Sequence, residues 1–473
     1  MKSLAFLLLP LVAAAAPLSI SSPPDAALTT PHRTEVIARG LVVPWELRFL
    51  PDGRQIFTER IGRVRLIENG KLIDEPALTL PAAQDNKMGL LGLALSPDFE
   101  NTGHLFLAWN KQIGDRRYEL RMERYRLDGN KLVEPKILIE GIPANRNHTG
   151  CRLEFGPDGM LYMTTGDADL ADGSQQLDQL HGKILRFNPD GSTPADNPFV
   201  GKENARPEIW SYGHRNPQGI AFQPGTGRLY ASEHGPLHGD EVNQIEKAAN
   251  YGWPIITHRR EAEGMRSPLI EISPSVGPGR LLFYQGKAFP ELRGSLLLCC
   301  LRGSAVFRIS LSGDGIPTHI ERLWHEKWGR IRFITEAPDG SLWLGTSMQD
   351  PPEGRPRPED DRLIRIVADP AGSVEPINGA ATQPVLLTPG MTDPQKIIAA
   401  ACASCHGPGL AGGERRGLVS GDFLHLKDPA ELEEIIGNGI PTAGMPPASS
   451  LLSKDQIRIL ADFIRESRSR AAN

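Results

Sequence analysis

The stretch FGPDGMLYMTTGD, residues 155–167, decides the fold. It is an apolar approach, a Pro-Asp-Gly turn and a short alternating strand. The phrase returns as FLPDGRQIFTER at 49–60, FQPGTGRLYASEHG at 222–235 and APDGSLWLGTS at 337–347. A looser copy, LSPDFENTGHLFLAW, occupies 95–109. A second phrase ends in a strand of the type RVRLI (63–67), KILRFN (183–188), AVFRISL (305–311) or RLIRIV (362–367). Helical periodicity is scarce from residue 35 to 367. Repeated short strands over that length predict a mainly β chain built as a six-bladed β-propeller, with blades of roughly 50–60 residues. Pattern alone also admits a large β-sandwich or two barrels. The copies are unevenly spaced, and the long inserts between them are expected to gather at one face and build the site.

Upstream of the repeats, MKSLAFLLLPLVAAAAP reads as an export signal. Lys2 supplies the positive start, residues 4–11 the apolar run, and Ala13 to Ala16 a small-residue cleavage site. Removal of roughly the first 16 to 24 residues is expected, with 1–20 as the working span and a periplasmic or secreted location. No later run is long and apolar enough to span a bilayer, so no transmembrane anchor is expected. A polar, proline-containing lead (19–33) follows. The formal net charge of -5 gives no argument for nucleic-acid binding. Of the five cysteines, Cys151 stands alone and Cys299 and Cys300 are adjacent. Export permits a bridge from Cys151 to one of that pair, a vicinal disulfide, or three buried thiols.

Downstream of the repeats, 368–391 is rich in Pro, Gly and Ala and reads as a linker. Residues 392–468 then turn helical and are expected to form a small all-α cytochrome c domain. Ile397, Ile398 and the alanines of DPQKIIAAACASCH share one apolar side. DPAELEEIIGNGI (428–440) has an Asp start and a Gly stop. SKDQIRILADFIRES (453–467) opens with Ser453 and Gln456 in a capping-box spacing, with Ile457, Leu460 and Ile464 on one face. Cys402-Ala-Ser-Cys405-His406 is the covalent haem-attachment pattern: two thiols reach two vinyl groups and the adjacent histidine faces the iron. A thioredoxin-like pair or a zinc site does not require that histidine, and there is no second CxxC. Met445, in GIPTAGMPP, is the expected distal ligand, with His425 as the alternative; Gly407 lets the backbone pass close to the haem. Such a haem moves single electrons, so the fused propeller is a candidate electron source.

Several runs in order along the chain carry a resemblance. They are PWELRFLPDG, MGLLGLALSPDF (88–99), GHRNPQGIAF (213–222), SEHGPLHGDEVNQI (232–245) and NYGWP (250–254). Over residues 38 to 367 the chain resembles the soluble quinoprotein glucose/aldose-sugar dehydrogenases, and its C-terminal part resembles class I c-type cytochromes. The resemblance implies a propeller (35–367) that binds pyrroloquinoline quinone (PQQ) and calcium. It implies His148 as the base that takes a hydroxyl proton, Asp167 as the carboxylate orienting it, and Arg215 beside the quinone carbonyls. Asn216 would touch the quinone, and Arg302, Arg330 and Arg332 would meet the carboxylates of PQQ. One-residue spacing puts Arg330 and Arg332 on the same side of an extended segment. Calcium would take backbone oxygens of Gly235 and Pro236; His234 is a poor ligand for so hard a cation. Glu241 and Tyr251 match a second calcium site, with Asp240 nearby. Two departures stand out: Lys87 where the family has a glutamine near the substrate, and Ile272 and Ser273 where many members have a tryptophan and a threonine lining the quinone.

The implied activity is oxidation of an aldose or similar sugar alcohol, with electrons passing to the chain's own haem c and on to a soluble cytochrome, copper protein or oxidase. The alternatives are PQQ-dependent oxidation of a non-aldose alcohol or sugar-derived aldehyde, and a non-catalytic propeller that docks an electron-transfer cytochrome.

Overall fold

The structure is a computed structural model that describes residues 18–20, 23–236, 238–350, 355–374, 390–402, 429–439, 448–450 and 452–471. The signal run, most of the linker, Cys405, His406, Gly407, His425 and Met445 lie outside the described residues.

The Pro-Asp-Gly phrases form one recurring turn. Gly53, Gly159 and Gly340 each donate their N–H to the carbonyl three residues back, on Leu50, Gly156 and Ala337. Each glycine sits in the left-handed region (φ 89°, 76° and 80°), where a side chain would be strained. The preceding aspartate locks the turn, as Asp339 Oδ1 accepts the Ser341 N–H at 2.9 Å. These turns join the first and second strands of three blades.

Among the described residues there are six sheets, antiparallel apart from an edge strand in two of them. Their first strands are Pro44–Phe49, Leu90–Leu95, Leu153–Phe155, Pro217–Phe222, Pro278–Phe283 and Ile331–Glu336, which touch in succession around a closed ring. This is the expected six-bladed propeller. The second phrase supplies third strands, such as Arg63–Glu68 in blade 1 and Leu363–Ala368 in blade 6. Closure comes from His32–Ala38, which pairs antiparallel with Leu363–Ala368 as the outer strand of blade 6. The lead segment does more than connect: Leu18–Ile20 adds a parallel edge strand to blade 4, and Asp25–Ala26 adds one to blade 5. Cleavage after the alanine run would keep the first of these; cleavage at residue 20 would remove it. Blade 5 lacks the Pro-Asp-Gly phrase, because a short 3-10 turn, Pro290–Leu292, joins its first two strands.

A separate apolar cluster fills each gap between neighbouring blades. Ile139, Leu153 and Leu185 lie between blades 2 and 3, for example, and Leu47, Phe57 and Phe333 between blades 6 and 1. The axis itself is polar. Glu46 and Arg152 are fully buried there and paired, and Arg280 pairs with the same glutamate. The inner strands pass so close that a Cβ on Gly279 would meet the Arg332 carbonyl at 2.6 Å. Cys151, Cys299 and Cys300 are buried free thiols, so neither disulfide arrangement occurs.

The C-terminal helices are Pro394–Ala401, Pro429–Asn438 and Lys454–Ala471, with a 3-10 turn at Ala448–Ser450. Asp393 caps the first through the Gln395 and Lys396 amides. Gly439, at φ 67°, ends the second. Ser453 and Gln456 exchange the two bonds of a capping box, at 3.0 and 3.3 Å, ahead of the third. Ile397, Ile398, Ile436, Ile457, Leu460 and Ile464 form the shared core. Cys402 caps the first helix and is half-buried against this core.

Among the described residues, no helix is long and apolar enough to cross a membrane.

Candidate active site

The connections between blades on one face surround a cavity of about 210 Å³. Its wall includes His148, Arg215, Asn216, Gly235, Pro236, Arg302, Arg330 and Arg332, which the fold brings to one place from distant parts of the chain. His148 lies in the connector from blade 2 to blade 3. Asp167 follows the second strand of blade 3, and Arg215 and Asn216 precede blade 4. Arg330 and Arg332 flank Ile331 where blade 6 begins.

His148 is held from behind. Its Nδ1 lies 2.7 Å from Asp167 Oδ1 and 3.2 Å from Asp169 Oδ1. A carboxylate only accepts, so Nδ1 carries the proton and Nε2 keeps a lone pair. Asp167 is itself fixed: its other oxygen accepts from Trp253 Nε1 at 2.8 Å, and it is almost fully buried. The backbone is forced here, with His148, Ala168 and Asp169 at φ 48°, 54° and 58°. Gly166 is obligatory, since a Cβ there would fall on the His148 carbonyl oxygen. His148, Asp167 and Asp169 also form the one group of three or more His, Cys, Asp or Glu among the described residues whose ligand atoms lie within 4.8 Å of one another. The hydrogen bond at Nδ1 fixes the orientation of the ring, and a cation there would first have to displace that proton.

The cationic wall is arranged around one acid. Asp350 accepts from Arg60 Nη1 at 2.8 Å, pairs closely with Arg332 and lies 3.6 Å from Arg330. Those guanidiniums hold its carboxyl below the ordinary value despite burial. Arg332 stacks on Trp45, 4.2 Å from the ring centroid, and donates to Gln218 Oε1 at 2.7 Å. Burial pushes it down to about 10. Arg215 lies over Trp253 at 5.2 Å and donates to the His234 carbonyl at 3.0 Å; burial lowers its pKa as well. The Nε atoms of Arg215 and Arg332 are buried with no hydrogen-bond partner among the described residues. Asn216 is turned inward to the Gly150 N–H, which braces the His148 loop. Arg302 is exposed at the rim.

The expected cation positions are less complete. Gly235 and Pro236 line the cavity, and the Gly235 N–H donates to Asp240. Asp240 accepts from Gly235, Ser275, Val276 and Gly277, so it shapes the wall instead of facing a ligand. His234 donates Nε2 to the Pro278 carbonyl, and burial holds it well below its usual pKa. Glu241 and Tyr251 border a separate small cleft. Burial and the neighbouring Glu233 raise Glu241 well above the carboxylate range. The Tyr251 hydroxyl is committed to Gln244 and Glu246, leaving only its carbonyl for a metal.

One expectation is corrected. Ile272 and Ser273 do not line the cavity. Ile272 is packed in the core between blades 4 and 5, and Ser273 bonds Glu271 and the Gly239 N–H. Ser275 and Gly277 take that wall. Sequence reasoning also missed Asp350, which sits in no distinctive local pattern, and Trp45, Gln218 and Trp253, which were within reach in PWELRFLPDG, GHRNPQGIAF and NYGWP.

The family described as "Glucose / Sorbosone dehydrogenase" matches residues 41–353, and "Cytochrome C oxidase, cbb3-type, subunit III" matches 389–464. The chain is 33% identical over 331 residues to the aldose sugar dehydrogenase YliI of Escherichia coli K12, covering 66% of this chain and 89% of that one. A Thermus thermophilus structure described as a putative oxidoreductase (glucose dehydrogenase) superposes with a TM-score of 0.65 at 40% identity, covering 71% of this chain and 100% of the other. The PQQ-bound aldose sugar dehydrogenase of Streptomyces coelicolor gives 0.62 at 30%, covering 72% and 99%.

Proposed function

The chain belongs to the glucose/sorbosone dehydrogenase family, with a distinct cytochrome-family region at its C-terminus, and from that premise we propose that it is a periplasmic quinohaemoprotein that oxidises sugars. The observation that carries this reading is the His148–Asp167 pair beside a cavity with a cationic wall. The arginines that line the cavity suit a planar cofactor bearing several carboxylates. Bound PQQ would supply the two-electron acceptor for the hydride.

The chain's own residues do the rest. His148 Nε2 takes the proton from the substrate hydroxyl, and Asp167 stabilises the imidazolium that forms. Arg215 places positive charge where negative charge develops. Arg302, Arg330 and Arg332 would hold cofactor carboxylates, and Asn216 would contact the ring. Gly235 and Pro236 would offer main-chain oxygens for calcium; Asp350, the one carboxylate among the described residues of the wall, is already shared by arginines. Glu241 and the Tyr251 carbonyl would hold a second calcium. An aldose loses two electrons and two protons and leaves as a lactone. Cys402 and Cys405 would hold a haem covalently, with His406 and Met445 as its protein ligands, and that group would supply one-electron transfer to an external cytochrome, copper protein or oxidase. The propeller at 35–367 and the cytochrome at 392–468 are the working division.

Equilibrium titration of the purified full-length chain with PQQ tests this. Tight uptake in calcium that a chelator weakens is the expected result; no uptake in calcium contradicts the reading.

A further inference from the structure

We propose that Trp253 is a positioning residue for the oxidation, a single side chain that sets both the carboxylate behind the base and the guanidinium of Arg215. The inference rests on the dehydrogenase reading above.

Trp253 is not among the described residues that line the large cavity. It borders the small cleft behind that wall, beside Gly213, Arg215 and Tyr251, so it acts through other groups. Its indole Nε1 donates to Asp167 Oδ2 at 2.8 Å, the one hydrogen bond to that oxygen among the described residues. The other oxygen, Oδ1, takes His148 Nδ1 at 2.7 Å and the Asp169 N–H at 2.9 Å. Asp167 is 1% exposed, so an unmet Oδ2 has no water to turn to. The carboxylate would have to rotate toward another donor and carry Oδ1 away from His148. Arg215 lies over the face of the same indole, 5.2 Å from its centroid.

The indole is placed from both sides. The Trp253 N–H donates to the Gly213 carbonyl at 3.0 Å, on the run that leads into Arg215. The Trp253 carbonyl accepts from Gln175 Nε2 at 2.7 Å, on the loop that continues from Asp167 through the 3-10 turn Ala171–Ser174. Gln175 and Asn250 exchange two amide hydrogen bonds, at 3.0 and 2.8 Å, and Asn250 Oδ1 also accepts the Gly252 N–H. There is little slack, since a Cβ on Gly213 would meet Asn250 Oδ1 at 2.2 Å. The circuit closes where the Asp167 N–H donates to the Arg215 carbonyl at 2.7 Å. The segments carrying the carboxylate, the arginine and the indole are thus bonded pairwise. As a substrate hydroxyl gives its proton to His148, positive charge appears on the imidazole and negative charge develops beside Arg215. Trp253 holds both partners in place before either charge appears. That helps the transition state without tightening the sugar, so its effect belongs in kcat and not in KM.

The test is single-turnover oxidation of glucose, galactose and xylose by the PQQ- and calcium-loaded full chain. Its rate constant does not depend on how much of the protein is active. Trp253→Phe should lower that constant about tenfold, the weight of one hydrogen bond to a charged group. The half-saturating sugar concentration and PQQ uptake should stay unchanged. Trp253→Leu, which also removes the ring face under Arg215, should be slower by about a further threefold. Benzothienylalanine at position 253 keeps the bicyclic shape and replaces only the N–H by sulfur, so it should reproduce the tenfold loss free of any packing change. In an Asp167→Ala background, Trp253→Phe should alter the rate by less than about twofold, because the carboxylate it acts through is gone. An undiminished loss in that background, a benzothienylalanine chain as fast as the parent, or Trp253→Leu no slower than Trp253→Phe overturns the proposal and leaves the dehydrogenase reading intact. Oxidation of none of these sugars by the loaded parent chain overturns both.

Discussion

The propeller and the C-terminal helices place their chemistry in opposite ways. In the helical region the candidate haem ligands are written almost side by side, with Cys402, Cys405 and His406 in five residues. In the propeller the cavity draws on connectors from all around the ring, from Lys87 after blade 1 to Asp350 within blade 6. A covalently attached group needs a short, fixed ligand spacing. A cofactor lying over a propeller axis needs contacts from many directions. The first arrangement is readable from local sequence; the second becomes readable only when the fold is known.

The two regions should therefore fail separately, and the largest effect tests that. Replacing Cys402 and Cys405 by alanine should abolish haem attachment and haem-linked electron flow. Sugar oxidation measured with an artificial dye should persist. Loss of dye-linked activity as well would mean that the propeller depends on the helical region to fold. The converse variant, His148→Gln, should lower kcat roughly 10²–10⁴-fold, the usual contribution of a positioned base, with haem content and spectrum unchanged.

A stability comparison comes next. Glu46→Ala strands the buried guanidiniums of Arg152 and Arg280 on the propeller axis. It should cost about 3–5 kcal/mol in chemical denaturation. The helical region should keep its own transition, because its core is a separate cluster. A single transition that moves as a whole would show the two regions to be coupled.

The smallest effect, read per pH unit, concerns Lys183. Its ammonium donates to the carbonyls of Gly173, Ser174 and His181, which fixes the loop after Asp167. Burial brings its pKa down to about 7 from the ordinary 10.5. Between those values the unfolded chain holds a proton that the folded chain has shed. Stability should therefore rise with pH across that window, by at most about 1.4 kcal/mol per pH unit. Unfolding midpoints measured from about pH 7 to 10 should show this slope, and Lys183→Met should flatten it.

Legibility in the sequence followed the same divide. Blades 1, 3, 4 and 6 announced themselves because a Pro-Asp-Gly or Pro-Gly-Thr-Gly turn dictates a strand on either side. Blade 5 did not, since Pro290–Leu292 makes its turn by other means. The edge strands Leu18–Ile20 and Asp25–Ala26 were hidden because two or three residues carry no periodicity, and their pairing is parallel and remote. The capping box at Ser453 and Gln456 was legible because its bonds span only three residues. Of the cavity, the resemblance supplied His148, Asp167 and the arginines. Asp350 was out of reach: its importance comes from Arg60, 290 residues away. Ile272 and Ser273 were misplaced by position in the motif, and the wall is formed by Ser275 and Gly277 two to five residues on.

If the propeller and the helical region form one electron path, rapid mixing makes that path visible. The oxidised full chain, loaded with PQQ and calcium, is mixed anaerobically with a sugar while haem absorbance near 550 nm is followed. The account predicts haem reduction at a rate independent of protein concentration, and its loss in His148→Gln. Sugar oxidation that reduces an added dye but leaves the haem oxidised would contradict it.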